Sequence, residues 1–119
     1  MLLLIFSANS QSSLVNTKWK GKTEFPSLAE VQLEFKTDSF SFFFSQDTSR
    51  PELMTFSQRN DSLLLKKISG ISPCADGTEA WYRIEWLENG EKFLLHDLSD
   101  ICRGRVRCFT TIKITERIR

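Results

Sequence analysis

Three cysteines carry the most reactive side chains of this chain of 119 residues. Cys74 and Cys102 each lie in a break between runs of alternating apolar and polar residues, whereas Cys108 lies inside an apparent strand. Three cysteines allow three single pairings, and the two that lie in loops are the preferred pair. The sequence therefore predicts a disulfide between Cys74 and Cys102 in a protein of an oxidising compartment.

Cys108 is left without a partner by this pairing. Two interpretations stay open: a buried small apolar side chain, or a thiol that forms a disulfide with another molecule. A metal site is not expected, because the spacing of the three cysteines and the single His96 matches no zinc pattern. No cofactor is predicted.

His96 could act as a general base only if a nucleophile or an orienting carboxylate lay within hydrogen-bond reach. Its neighbour Asp97 points to the opposite face if both residues lie on a strand. The sequence also shows no glycine-rich phosphate loop, no nucleophile elbow and no metalloprotease helix. We therefore predict that the protein is not an enzyme.

The segment 100–105, Asp-Ile-Cys-Arg-Gly-Arg, concentrates charge around Cys102. These side chains could bind an anionic partner. More often such a group fixes its own loop, and Arg105 or Arg117 could cover Trp19 through a cation–π interaction. We expect these charged residues to stabilise their own loop and not to bind an anionic partner.

Basic residues also accumulate at the C-terminal end, where residues 103–119 hold six of them against a single acidic residue. Such an excess can serve nucleic-acid binding through phosphate contacts. Alternation instead places Arg105, Arg107 and Lys113 on the solvent-facing side of a last strand predicted near 106–116. We expect no nucleic-acid partner.

Residues 1–10 form a short apolar run that ends in small residues, Ala8 and Ser10. This pattern resembles the apolar region and cleavage site of a secretory signal peptide, with Gln11 as the first mature residue, and a buried first strand is the alternative. The run is shorter than the about 20 residues of a membrane-spanning helix. The sequence predicts a signal-peptide remnant over 1–10, one domain over 11–119, no membrane span and a secreted or periplasmic location.

Strand patterns run through almost the whole chain, and no ten-residue stretch shows the period of a helix. Asn89-Gly90 predicts a two-residue type I′ hairpin turn. Only residues 25–30 could hold a short helical turn or a lid, which would lie near the open end of a barrel formed by these strands. The predicted strands lie near residues 17–24, 31–36, 39–45, 53–56, 63–65, 80–86, 93–95 and 106–116.

Short turns between these strands favour an antiparallel meander. Eight strands in an open sheet would expose two edges, and closure into a barrel removes them. The predicted fold is all-β, an eight-stranded antiparallel up-and-down barrel. A β-sandwich is the alternative.

Several short motifs, in this order and spacing, resemble those of small bacterial secreted lipocalin-like domains of the calycin group. They are Trp19 just inside the first strand, a phenylalanine-rich hairpin at 40–44, Asp-Ser-Leu at 61–63, and the Asp-x-Cys-x-Gly-Arg run at 100–105 with Cys74 upstream. The resemblance implies a barrel closed at one end under a basic side chain, a small hydrophobic ligand at the other end, and no catalytic residue. The residues assigned to structural closure are Trp19, Asp100, Arg105 and Arg117.

Two functions of different class follow from this fold. In the first, the protein carries one small apolar ligand inside the barrel. In the second, the barrel is filled by its own side chains, and the loops at 47–51 and 70–78 bind a protein partner or inhibit an enzyme. The candidate lining residues of the carrier are Phe35, Phe42, Phe44, Leu65, Tyr82, Ile84, Trp86 and Leu95.

Overall fold

Alternation in the sequence becomes alternation of buried and exposed side chains along the strands. The computed structural model describes residues 12–119, so the predicted signal segment lies outside the described residues. Within them the chain forms eight strands and one α-helix. Their bounds are β1 Thr17–Thr23, β2 Ala29–Phe35, β3 Ser39–Phe44, β4 Glu52–Arg59, β5 Ser62–Ser69, β6 Glu79–Leu87, β7 Lys92–Asp100, α1 Arg103–Thr110 and β8 Lys113–Ile118.

The strands pair in the order β7-β6-β5-β4-β3-β2-β1-β8, and each paired neighbour is antiparallel. The sheet therefore curls until its last strand lies beside its first, which confirms the predicted eight-stranded up-and-down barrel rather than a sandwich. Within residues 12–119 no ladder joins β7 to β8. The barrel is nearly closed, with a seam between these two strands.

Helix α1 follows β7 and packs on it. The prediction of one strand across 106–116 is therefore wrong for its first half: residues 103–110 are helical and β8 begins at Lys113. Arg105, Val106 and Phe109 are buried at a spacing of one helical face, with Ile112 continuing it. Arg105, Arg107 and Lys113 lie at odd-numbered positions, and this apparent two-residue period led to the prediction of a strand.

Two local predictions also change. Asn89 and Gly90 lie in a longer β6–β7 connection, a 3₁₀ turn over Glu88–Gly90 in which all three residues have positive φ. The hairpin is present, but its turn is not the two-residue type I′ form. Residues 25–28 form bends without a helical turn, and Ala29 already belongs to β2.

Trp19 is fully buried at one end of the barrel, which we call the closed end. Its ring meets Phe93 edge to face with 4.8 Å between centroids, and its Nε1 donates a hydrogen bond to Thr17 Oγ1 at 2.7 Å. The guanidinium of Arg117 lies 4.9 Å from the Trp19 ring centroid, the range of a cation–π contact. Arg117, and not Arg105, is the basic side chain that covers Trp19.

The disulfide between Cys74 and Cys102 is present and confirms the predicted pairing. It joins the β5–β6 loop to the residue that precedes α1. Two segments that lie 28 residues apart in sequence are thus held together at the end of the barrel opposite Trp19.

We predict that Trp19→Ala lowers the free energy of unfolding by about 3 to 5 kcal/mol, because it removes the largest side chain of the closed end. Urea unfolding followed by circular dichroism measures the change. The matched control is Trp81→Ala, since Trp81 is 43% exposed on the outer face. Equal losses in the two variants would contradict a core role for Trp19.

Cys74→Ser and Cys102→Ser should each lower the stability by the same amount, about 3 to 4 kcal/mol in the loop-entropy model. The double variant should lose no more than either single variant, because all three lack the same bond. Thermal and urea unfolding under non-reducing conditions test this. A double variant much less stable than both singles would show that the cysteines stabilise the fold separately.

Candidate functional site

The second end of the barrel, which we call the mouth, is built from the β1–β2, β3–β4 and β5–β6 loops together with α1. These segments enclose a partly open cavity of about 410 Å³. Such a volume falls within the range of small-molecule sites in proteins. The mouth is therefore the candidate ligand site of the described chain.

Aromatic and aliphatic side chains form most of the cavity wall. Phe42 and Phe44 project from β3, and their rings lie 5.5 Å apart. Phe109 reaches them from α1, with its ring 5.2 Å from that of Phe42. The loops complete the apolar wall with Phe25, Pro26, Ile71 and Pro73.

Of the eight predicted lining residues, Phe42 and Phe44 line the cavity. The other six belong to or pack against the hydrophobic core: Phe35, Leu65, Tyr82, Ile84, Trp86 and Leu95. These six residues do not line the cavity because aromatic side chains fill the interior around them. Phe35 stacks on Phe40 with 4.2 Å between centroids, and Phe109 packs on both Phe40 and Tyr82. Core side chains fill the barrel between the closed end and Phe109, so the cavity lies on the mouth side of the Phe109 ring.

A buried charge pair stands beside the cavity. Asp100, at the end of β7, accepts hydrogen bonds from Arg105 Nε at 2.7 Å and Nη2 at 3.0 Å. It also accepts one from the Tyr82 hydroxyl at 2.6 Å and one from the Cys102 backbone N–H at 2.9 Å. One carboxylate therefore links β6, β7 and α1.

The pKa values of this group follow from its contacts. Burial by itself would raise the pKa of Asp100, but the hydrogen bonds from Arg105, Tyr82 and the Cys102 backbone outweigh burial and lower it. Burial and the hydrogen bond to Asp100 raise the pKa of Tyr82 well above its usual range. At neutral pH the site holds a carboxylate, a guanidinium and a neutral phenol.

Arg105 was predicted on the solvent-facing side of a strand, and the helix instead turns it inward. Its side chain is 3% exposed and lines the cavity. Two of its nitrogens bind Asp100, but Nη1 is buried and has no hydrogen-bond partner within the described chain. Protein atoms therefore cover this donor, and it is not exposed in the cavity wall.

A second buried pair holds the β5–β6 loop against β4. Lys67 Nζ lies 3.3 Å from Glu52 Oε2 and donates to the Cys74 carbonyl at 2.7 Å. Glu52 also accepts hydrogen bonds from the backbone and hydroxyl of Ser72. These contacts position one wall of the cavity next to the disulfide.

The remaining reactive side chains lie elsewhere or are enclosed. His96 Nε2 is 2.6 Å from Glu85 Oε1, and both side chains are more than 40% exposed, outside the cavity lining. Cys108 is free and buried in α1, and burial raises its thiol pKa to about 11 despite a hydrogen bond from Thr23. This placement fits the buried small side chain of the two earlier interpretations. Among residues 12–119 no group of three or more His, Cys, Asp or Glu side chains is arranged to hold a metal ion.

Large apolar side chains are also exposed around the mouth. Trp81 and Leu98 lie on the outer face of β6 and β7, on the half of each strand nearest the mouth. Others lie at the neighbouring strand ends and in the loops: Leu28, Leu53, Ile68, Ile71 and Ile101. No helix within residues 12–119 has both the length and the apolar character needed to cross a membrane.

Several residues of the cavity wall were not identified from the sequence. Phe25, Pro26 and Ile71 lie in loops, where no periodicity indicates which way a side chain points. Phe109 and the inward direction of Arg105 depend on α1. The one available signal was the spacing of residues 105, 109 and 112, which fits one face of a helix.

Asp100→Asn should destabilise the protein by about 3 to 5 kcal/mol, because it removes one partner of a buried ion pair. Asp100 has a lowered pKa in the folded state, so its contribution to stability is complete above its unfolded pKa near 3.8 and is lost as the pH falls through the folded pKa. The stability difference between wild type and variant should therefore shrink below about pH 4.

Urea unfolding between pH 3 and pH 8 measures this difference. The control is Asp97→Asn, since Asp97 is exposed on the same strand. A stability loss that does not change with pH, or an equal loss in the control, would contradict the role given to the Asp100 carboxylate.

No protein-family model, no curated protein and no solved structure matches this chain. The lipocalin-like resemblance therefore stays a prediction from the motifs.

Proposed function

We propose that the protein binds a small hydrophobic ligand in the cavity at the mouth of the barrel. The single observation that carries this proposal is a volume of about 410 Å³ walled mainly by phenylalanine, proline and isoleucine side chains. Apolar surface left open to water at such a site costs free energy that an apolar ligand recovers on binding. The protein is, on this proposal, a lipocalin-like binding protein and not an enzyme.

The shape of the interior supports a ligand that enters only part of the way. The aromatic core occupies the barrel from Trp19 up to Phe109. A ligand therefore rests on the Phe42 and Phe109 rings, with the loops around it, instead of penetrating along the barrel axis. This favours a compact molecule over a long chain.

A location outside the cytosol is part of the proposal. The Cys74–Cys102 disulfide forms one side of the mouth, and disulfides persist in oxidising compartments. The signal-peptide interpretation of residues 1–10 agrees with this location. The binding site would then be assembled where the protein meets its ligand.

Gly104 offers a direct test, because it lines the cavity and a Cβ there would meet the nearest atom of Phe25 at 3.8 Å, an ordinary contact. We predict that Gly104→Phe fills the cavity and weakens binding of an apolar probe at least tenfold. Gly104→Ala adds only a methyl group and should bind nearly as wild type. The difference between the two isolates the effect of volume.

The probe is the uncharged dye N-phenyl-1-naphthylamine, whose fluorescence rises in apolar surroundings. Tryptophan emission is the poorer reporter, since Trp19, Trp81 and Trp86 are not among the lining residues. The proposal predicts saturable binding in the low micromolar range that small apolar competitors reverse. Absence of saturable binding, or equal affinity in Gly104→Phe, would overturn it.

A second candidate is a protein-interaction module, which one observation favours. Large apolar side chains around the mouth are exposed, including Trp81, Leu98 and Ile101, and exposed apolar patches can mark protein-interaction sites. On this alternative the mouth contacts a protein and the cavity accepts one of its side chains. Leu98→Ser with Ile101→Ser would then abolish the interaction, whereas the same change would leave dye binding intact.

A further inference from the structure

Exposed apolar side chains are concentrated at one end of the molecule. Within residues 12–119 eight large apolar side chains are exposed, and of these only Val15, in the turn before β1, lies at the closed end. Three others lie in segments of the mouth, and each stands mostly clear of its neighbours: Leu28 is 75% exposed, Ile71 68% and Ile101 84%. The remaining four lie on the outer face of the barrel, on the half of their strands nearest the mouth: Leu53, Ile68, Trp81 and Leu98. We call these seven residues the apolar rim.

The strand residues of the apolar rim belong to consecutive strands. They lie on β4, β5, β6 and β7, which are neighbours in the sheet. Leu53 and Ile68 come from one pair of adjacent strands, and Trp81 and Leu98 come from the next. Ile71 continues the rim into the β5–β6 loop. Exposed apolar surface that is gathered in this way indicates contact with a protein or a membrane.

The order of side chains along the barrel distinguishes these two partners. The aliphatic side chains of Leu28, Ile71 and Ile101 lie beyond the ends of the strands. Trp81 lies two residues inside β6, about 7 Å back along the strand at the usual rise of about 3.3 Å per residue. At a bilayer surface aliphatic side chains reach the acyl chains, whereas tryptophan stays at the level of the headgroups. The apolar rim has this order, which contact with a protein does not require.

The charges of the mouth are balanced. Arg50 is paired with Asp47, and Arg105 is paired with Asp100. The three mouth loops and α1 otherwise carry two exposed arginines and two exposed carboxylates: Arg103, Arg107, Glu24 and Asp76. A zwitterionic headgroup presents both a phosphate and an ammonium group, so it complements a surface that has both signs and no net charge. An anionic lipid surface would attract a basic cluster, which the mouth lacks among its described residues.

We propose that the mouth of the barrel docks on the surface of a zwitterionic phospholipid bilayer. Leu28, Ile71 and Ile101 enter the upper part of the acyl region, and Trp81 lies among the headgroups. The exposed arginines of α1 contact lipid phosphates. This interaction goes beyond the proposed function, because docking needs only the apolar rim and holds whether or not the cavity takes a ligand.

Unilamellar vesicles of phosphatidylcholine test the docking. Wild-type protein should co-sediment with the vesicles and saturate as lipid is added. Leu28→Ser with Ile101→Ser should weaken the partition at least tenfold, because it removes two aliphatic side chains that are not in the cavity wall. Val15→Ser is the matched control, since it removes an exposed apolar side chain of the closed end. Wild-type protein that stays in the supernatant overturns the proposal, and so does an equal loss in Val15→Ser.

Trp81 reports its own depth, because it is exposed while Trp19 is buried and Trp86 packs against the core. Its emission should shift to shorter wavelength when vesicles bind. Phosphatidylcholine brominated close to the headgroup should quench it more strongly than lipid brominated at the chain end. Trp81→Phe should lose both signals. Wild-type emission that vesicles leave unchanged places Trp81 in water and overturns the proposed orientation.

The balanced charges give a separate expectation. Because apolar contacts drive the docking, binding to phosphatidylcholine should persist in molar sodium chloride. Replacing part of the lipid by anionic phosphatidylglycerol should change the partition by less than threefold. Binding that requires the anionic lipid and disappears in salt overturns the assignment of a zwitterionic surface.

The same variants separate docking from its competitors. If the apolar rim is a contact between copies of this chain, wild-type protein self-associates in sedimentation velocity and does not bind vesicles, which overturns the proposal. Dye binding that survives in Leu28→Ser with Ile101→Ser, while vesicle binding is lost, shows a folded protein and supports docking through the rim. Vesicle binding without saturable dye binding supports the docking and removes the proposed function alone.

Discussion

The carboxylate of Asp100 is the interaction on which the mouth depends. It is buried, it accepts from Arg105, Tyr82 and the Cys102 backbone, and it thereby joins two strands to the helix. A charge at this depth is stable only when its partners are fixed in place. The disulfide at Cys102, two residues after Asp100, ties the start of α1 to the β5–β6 loop through Cys74. Together they hold α1 against β7, and α1 in turn supplies Arg105, Cys108 and Phe109 to the cavity.

The closed end is held by different forces. There Trp19 is enclosed by Phe93 and Trp86 and covered by Arg117, with one hydrogen bond to satisfy its indole nitrogen. The contacts are dispersion, apolar burial and a cation–π interaction, and none of them reaches the mouth. The two ends of the barrel thus depend on different contacts, while one hydrophobic core connects Trp19 with Phe109.

The sequence predicted the parts of this structure that depend on local pattern. Alternation along β1 to β7 and the short turns between them were sufficient for the barrel, and loop placement was sufficient for the Cys74–Cys102 pair. Helix α1 was not predicted because Arg105 and Arg107 show the two-residue spacing of a strand. The helix is favoured by its tertiary contacts, which the sequence pattern does not reveal. Most of the cavity wall was missed for a related reason. Loop residues such as Phe25 and Ile71 have no periodicity, and the direction of Arg105 depends on a partner, Asp100, that only the fold brings near.

The filled interior below Phe109 has a consequence for how the protein can vary. Side chains in the lower barrel are constrained by close packing, in which even one methylene group is felt. In the mouth loops, by contrast, Ile71 lines the cavity and is 68% exposed. Exchange of Ile71 therefore alters the shape of the binding site at small cost in stability. A scaffold divided in this way can be adapted to new ligands by changes in its loops while its fold stays the same.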